Sequence, residues 1–283
     1  MLKSLIIAFS TYSKIPMPRV EWNEKSMRYS MCFFSCVGAV IGCINLLFLY
    51  IFGATGICSV TLTAVVLTVL PILITGGIHM DGFMDTVDAR SSYKSMEDKL
   101  KILKDPHTGA FAIIFCVMYV LIYFGFTNEI VSVFAATHNT EGAVNHNICF
   151  QFFGNGITEA NIVLALSFAY VRILSGLAVV LFRKAKRDGM AAATAQAADR
   201  KVKWILLVEL VVCAAAFISI DIICGVWYGT VAVLTGIISF LAYRNMAYKT
   251  FGGITGDLAG YFLQTTELAI LIAVTIVQRG RMI

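Results

Sequence analysis

From Ile57 to Asp88 the chain reads ICSVTLTAVVLTVLPILITGGIHMDGFMDTVD. Its first part, Ile57 to Ile78, carries no charged residue. A helix of about 20 such residues crosses the apolar layer of a bilayer. Its second part sets Asp81, Asp85 and Asp88 at intervals of four and three. On a helix that spacing stacks the three carboxylates on one face. Like charges so placed repel and call for a cation between them. A divalent metal carrying a phosphorylated ligand answers that need, because hard Mg2+ prefers carboxylate and phosphate oxygens. The plainer alternative is a solvated acidic helix end paired with the lysines that follow. Charge set against hydrocarbon is costly and usually functional, which favours the metal reading.

The rest of the chain has the same character. It is 59% hydrophobic and only 14% charged, with a mean hydropathy of +0.81, whereas soluble domains average about 25% charged residues. An all-α polytopic integral membrane helix bundle is therefore predicted. Beside Ile57–Ile78, spans are expected at Met31–Phe52, Ala110–Phe126, Ile162–Phe182, Trp204–Ile223, Val226–Tyr243 and Tyr261–Val277, about seven transmembrane spans in all. Asp221 to Gly225 leave so little loop that the spans on either side should form a tight hairpin. The opening MLKSLIIAFSTYSKIPMP has no convincing cleavage site. Its apolar run, Leu5 to Phe9, is too short to span and should lie at the interface or pack on the bundle. Residues 1–283 are read as a single membrane-embedded catalytic domain.

Charge orients the bundle. With the N-terminus inside, Arg90–Lys104, Arg183–Lys203 and Arg244–Asp257 fall on the cytoplasmic side and hold most of the lysines and arginines. The opposite loop, Thr127–Asn161, holds none. This is the positive-inside pattern. Arg279 and Arg281 run against it, since a seventh crossing leaves them outside. The acidic triplet lands on the cytoplasmic face, where nucleotides and Mg2+ are available.

Gly76-Gly77-Ile78-His79-Met80-Asp81 has an echo in Gly252-Gly253-Ile254-Thr255-Gly256-Asp257. Paired glycines let a backbone approach a ligand closely, and the following Asp suits a metal. The competing explanation is close helix packing. Arg172 falls inside a predicted span, where a guanidinium normally finds an anionic partner or ligand. In Lys104-Asp105-Pro106-His107, Pro106 suits a helix start with Asp105 as its cap, and a catalytic role is the alternative. His138 and His146 lack metal-ligand spacing. Cys32 and Cys36 share a helical face but have no histidine beside them, so zinc is not indicated, nor is a disulfide framework. The run Arg183-Lys184-Ala185-Lys186-Arg187 suits anionic lipid. Nucleic acid is not implied, and no P-loop, dinucleotide fingerprint or nucleophile elbow is present.

The stretch Thr75 to Asp88 resembles the signature of the cobalamin synthase family, adenosylcobinamide-GDP ribazoletransferase, which reads T-G-G-hydrophobic-H-hydrophobic-D-G-x-x-D-T-x-D. The likeness extends to Leu103–Gly109, to Arg172, to Gly252–Asp257, to Glu267 and to the opening Phe9-x-Thr11-x-x-x-Ile15-Pro16. One departure stands out: Asp88 is followed by Ala89-Arg90, where the family usually has Gly.

This resemblance implies a late step of cobalamin nucleotide-loop assembly. Adenosylcobinamide-GDP and α-ribazole, or its 5′-phosphate, would be joined to give adenosylcobalamin, or its 5′-phosphate, with release of GMP. It implies Mg2+ on Asp81, Asp85 and Asp88, and catalytic roles for these with His79, Lys104 and Asp105. His79 or a metal-free carboxylate would take the hydroxyl proton. Substrate contacts are implied for Gly76, Gly77, Arg172, Gly252, Gly253, Asp257 and Glu267. It also places the chain in the inner membrane of a prokaryote, in contact with lipid; a homo-oligomer is compatible with the sequence. Two rivals are weaker. A CDP-alcohol phosphotransferase needs D-G-x2-A-R-x8-G-x3-D-x3-D, of which Asp88-Ala89-Arg90 is only a fragment. A secondary transporter places its polar groups near the midplane rather than at one face.

Overall fold

The computed structural model describes residues 1–138, 157–185 and 189–281. These form α1 (Leu2–Tyr12), α2 (Glu24–Met27), a 3-10 turn (Ser30–Phe33) leading into α3 (Phe34–Thr55), α4 (Val60–Thr75), α5 (Ile78–Ser91) and α6 (Met96–Ile102). There follow α7 (Ala110–His138), α8 (Glu159–Leu181), α9 (Met190–Ala197), α10 (Val202–Cys224), α11 (Tyr228–Phe251) and α12 (Gly256–Gly280). Among the described residues the one extended pairing is an isolated bridge between Lys184 and Ile254. Six helices are long and apolar enough to cross a membrane, or seven with α4 and α5 counted together. The protein is thus an all-helical polytopic bundle. His146, Lys186 and Arg187 lie outside the described residues.

The second predicted span is where sequence and structure part. It was expected to run to Ile78, but α4 stops at Thr75 and α5 leaves it at 91°. The cause is local. Gly76 and Gly77 take φ of 64° and 78°, left-handed values that glycine adopts without a Cβ penalty. The acidic triplet is thereby carried off the axis of α4 on a helix of its own.

α8 is the centre of the bundle, packed by α3, α10, α11 and α12. Gly38 and Gly42 let the backbone of α3 touch it: added Cβ atoms would fall 2.3 Å from the Phe168 oxygen and 2.2 Å from the Ala165 oxygen. Small residues one turn apart permit such approaches in lipid, where packing rather than the hydrophobic effect holds helices together. Within α8, Arg172 Nη1 donates to Glu267 Oε1 of α12 at 2.7 Å, with side chains only 1% and 4% exposed.

The predicted α10–α11 hairpin is present. Asp221 pins it by accepting from the Gly229 amide at 2.8 Å and the Thr230 hydroxyl at 2.7 Å. α7 continues past the predicted end at Phe126, and its Glu129 forms an ion pair with Arg279. Arg279, one of the two arginines that stand against the charge pattern, therefore has its own counter-ion. α1 does not span: it has 11 residues and buries Ile7, Ala8 and Phe9 against the bundle.

Candidate active site

The two G-G-I-x-x-D segments meet. Each ends at the start of a helix, with Asp81 in the first turn of α5 and Asp257 in the first turn of α12. The helices cross at two glycines with almost no space between backbones. A Cβ on Gly82 would lie 2.7 Å from the Asp257 oxygen, and one on Gly260 2.8 Å from the His79 oxygen. Thr255 caps α12, its hydroxyl accepting from the Leu258 amide at 3.2 Å.

The glycine pairs themselves stand behind this junction. The Ile254 amide donates to the Arg183 oxygen at 2.9 Å, and the Ala185 amide to the Ile254 oxygen at 3.0 Å. Arg183 Nε donates to the Gly252 oxygen at 2.7 Å. Gly252 and Gly253 thus let the chain pair with 183–185, as Gly76 and Gly77 let it turn out of α4. None of the four lines the cavities beside the aspartates. In the structure their part is to aim Asp81 and Asp257.

Two adjoining cavities share Asp257. The first, about 150 Å³, is bordered by Asp81, Asp257 and His79 together with Tyr12, Met31 and Phe34. The second, about 220 Å³, is bordered by Lys104, the segment Ile254–Asp257 and Gly189–Ala192 ahead of and within α9. Asp85, one turn beyond Asp81, lies within electrostatic reach of Asp81, Asp257 and Asp88.

Asp88 has a different occupation. Its carboxylate accepts from the amides of Gly109 and Ala112, the latter at 2.9 Å, and so caps α7. A Cβ at Gly109 would fall 2.3 Å from the Asp88 oxygen, which explains the glycine. The cap expected from Asp105 is therefore supplied by Asp88. Asp105 instead accepts from the His107 amide at 3.0 Å and pairs with its ring Nδ1 at 2.7 Å. Those hydrogen bonds hold its carboxyl below the usual range. Neither Asp105 nor His107 borders either cavity.

His79 is 4% exposed and stacks near Tyr12 (ring centroids 6.1 Å apart) and Phe34 (5.8 Å). Its Nε2 has no hydrogen-bond partner among the described residues. Burial pushes the Tyr12 phenol up to about 12, opposed by a hydrogen bond with Thr194 of α9. Tyr12, Phe34 and α9 escaped the motif reading. The only signal nearby was the opening Phe9-x-Thr11-x-x-x-Ile15-Pro16 pattern. Arg172 and Glu267 are not brought into these cavities. They bind each other, and Glu267 borders a separate chamber of about 60 Å³ with Asn45, Thr127 and Asn161.

Among the described residues, no three His, Cys, Asp or Glu side chains converge tightly enough to enclose a metal ion by themselves. Mg2+ does not require that. It keeps several waters and is typically held by one or two carboxylates plus substrate phosphates. Asp81 and Asp257 at a cavity mouth, with Asp85 behind them, fit that kind of binding.

Comparison with known proteins identifies the family. The cobalamin-5-phosphate synthase family profile matches residues 4–275. A protein of Lachnoclostridium phytofermentans named adenosylcobinamide-GDP ribazoletransferase is 45% identical over 278 residues, covering 98% of this chain and 95% of its own. Proteins of the same name are 30% identical in Clostridium botulinum strain Eklund 17B, with 95% of each chain covered, and 26% identical in Treponema denticola, with 95% and 96% covered. No solved structure matches the chain. Matched over nearly its whole length, the chain belongs to the cobalamin-5-phosphate synthase family.

Proposed function

We propose that this protein is the transferase that joins adenosylcobinamide-GDP to α-ribazole, or to α-ribazole 5′-phosphate, and releases GMP. A ribazole hydroxyl attacks the phosphorus that carries cobinamide. The new P–O bond forms as the anhydride bond to GMP breaks, and the hydroxyl proton passes to a base. The observation that carries this reading is that Asp81 and Asp257 border one cavity, Asp257 also borders the next, and Asp85 lies within electrostatic reach of both. One cavity serves each reactant.

Mg2+, when bound, would neutralise the diphosphate and the charge growing on departing GMP. Asp81 and Asp257 would hold it at the mouth, with Asp85 adding negative charge from behind. A carboxylate not engaged by metal accepts the proton. Lys104, bordering the second cavity, steadies phosphate oxygens. Asp88 positions α5 against α7 rather than serving as ligand.

The aspartates, α6 and α9 occupy the end of the bundle that carries the basic loops, which supports a cytoplasm-facing site in a prokaryotic inner membrane. Membranes containing the protein, given adenosylcobinamide-GDP, α-ribazole and Mg2+, should yield GMP and a complete corrinoid. No GMP under those conditions, with turnover of a CDP-alcohol instead, would overturn the reading.

A further inference from the structure

Two arginines meet at one ring where α8 and α11 end. The guanidinium carbon of Arg183 lies 5.2 Å from the centre of the Tyr248 ring, and that of Arg244 5.1 Å from it. Arg244 also stands 6.0 Å from the Phe182 ring, which packs edge-on against Tyr248. Arg183 is held in place. Its Nε donates to the Gly252 oxygen at 2.7 Å, and its amide to the Tyr248 hydroxyl at 2.9 Å. Both arginines are exposed, and neither pairs with a carboxylate among the described residues. The ring offsets part of the repulsion between two such charges. An anion bound by both would offset the rest, and a phosphate suits guanidinium geometry best.

Position along the helices says which phosphate. Leu234, Ile237 and Leu241 of α11 are 54%, 43% and 58% exposed. They follow one another at intervals of three and four, and Arg244 and Tyr248 continue the same intervals, so all five share one helix face. Leu181, two residues before Arg183, is 53% exposed as well. In a membrane bundle an exposed apolar row faces acyl chains. This row leads directly to the arginines, as an acyl chain leads to its headgroup. A soluble phosphate would need no such row. A zwitterionic headgroup would bring its own ammonium toward two guanidiniums, so a lipid of net negative charge is favoured. We infer that the joined ends of α8 and α11 form a binding site for an anionic phospholipid, its phosphate held by Arg183 and Arg244 and an acyl chain lying along Leu241, Ile237 and Leu234. The site goes beyond the transferase reading and does not depend on it.

The test is titration of the purified, delipidated protein with phosphatidylglycerol or phosphatidylcholine, native mass spectrometry giving the dissociation constant of the first lipid bound. Wild type should prefer phosphatidylglycerol by about twentyfold, from the pull of two arginines on one anionic headgroup. Arg183→Gln and Arg244→Gln should each cut that preference about fivefold, and the double variant should abolish it. Arg244→Gln serves alone if loss of the Gly252 contact prevents Arg183→Gln from folding. Leu241→Ser should weaken both lipids without changing their ratio. Lys94→Gln, which removes a positive charge from the loop between α5 and α6, should change nothing. An unchanged preference in Arg244→Gln, an equal loss in Lys94→Gln, or an unchanged affinity for both lipids in Leu241→Ser would overturn the assignment. So would displacement of phosphatidylglycerol by inorganic phosphate or GMP, which would mark a site for soluble phosphates instead.

Discussion

Gly82 of α5 and Gly260 of α12 lie face to face, a Cβ built on Gly260 falling 3.3 Å from the Gly82 Cα. That contact fixes how far apart Asp81 and Asp257 stand. Gly82→Ala puts a methyl 2.7 Å from the Asp257 oxygen and must push the helices apart. Overpacking of this kind costs about 1–3 kcal/mol. A shift of about 1 Å at a reacting centre costs on the order of 100-fold in rate. GMP release should therefore fall far more than the thermal midpoint in detergent, measured on the same preparation.

The carboxylates should separate into two groups. Asp81→Asn, Asp85→Asn and Asp257→Asn each remove a charge at the cavity mouth or just behind it. Mn2+ binding followed by electron paramagnetic resonance should weaken, with near-complete loss of turnover. Asp88→Asn keeps a side-chain acceptor for the α7 amides. It should cost about 1 kcal/mol of stability, the usual scale of a cap, and leave Mn2+ affinity nearly intact. Equal loss of Mn2+ from all four variants would reinstate Asp88 as a ligand.

Arg172 and Glu267 are paired inside the bundle, although Arg172 Nε has no hydrogen-bond partner among the described residues. Removing one partner strands the other charge in the bundle, at about 3–5 kcal/mol. Arg172→Met and Glu267→Gln should each unfold at markedly lower temperature. The double variant Arg172→Met with Glu267→Leu should recover much of the loss, as replaced buried pairs commonly do. A double variant as unstable as the worse single one would point to another role for the pair.

Lys184 offers a pH signature. Its ammonium donates to the carbonyls of Val179 and Phe182 at the end of α8, and burial lowers its pKa from 10.5 to about 8. Below that value both folded and unfolded chains hold the proton, and the folded state bears the full cost of burying it. Between the two values the unfolded chain keeps a proton that the folded one has released. Stability should therefore rise with pH across that window relative to Lys184→Met. Melting midpoints of the two proteins, compared from about pH 7 to about pH 10, check this.

The spans were legible because apolar length is a local property, and so was the acidic face, because helical spacing is too. What escaped depends on partners distant in sequence. Asp88 reads as a third ligand by spacing, yet its amide donors sit 21 and 24 residues on. Arg172 advertised a need for an anion, but the anion is 95 residues away. The glycine pairs read as ligand contacts or as packing points. The left-handed backbone at Gly76, Gly77 and Gly252 shows in addition that they redirect the chain. His79 stood out as polar, while the rings around it come from α1 and α3 with no pattern to announce them.

α4 has 16 residues, which rise about 24 Å, against an apolar layer of about 30 Å. With α4 as the crossing segment, the bend into α5 occurs several ångström short of the headgroups. Lipids around it would then compress, or the surface would sag inward, to bring water to the aspartates. Such mismatch costs a fraction of a kcal/mol per ångström. A reaction at these aspartates would then take place at the bottom of a dimple in the bilayer. Longer acyl chains would deepen the dimple and slow the arrival of a water-borne nucleotide, making membrane thickness a brake on turnover.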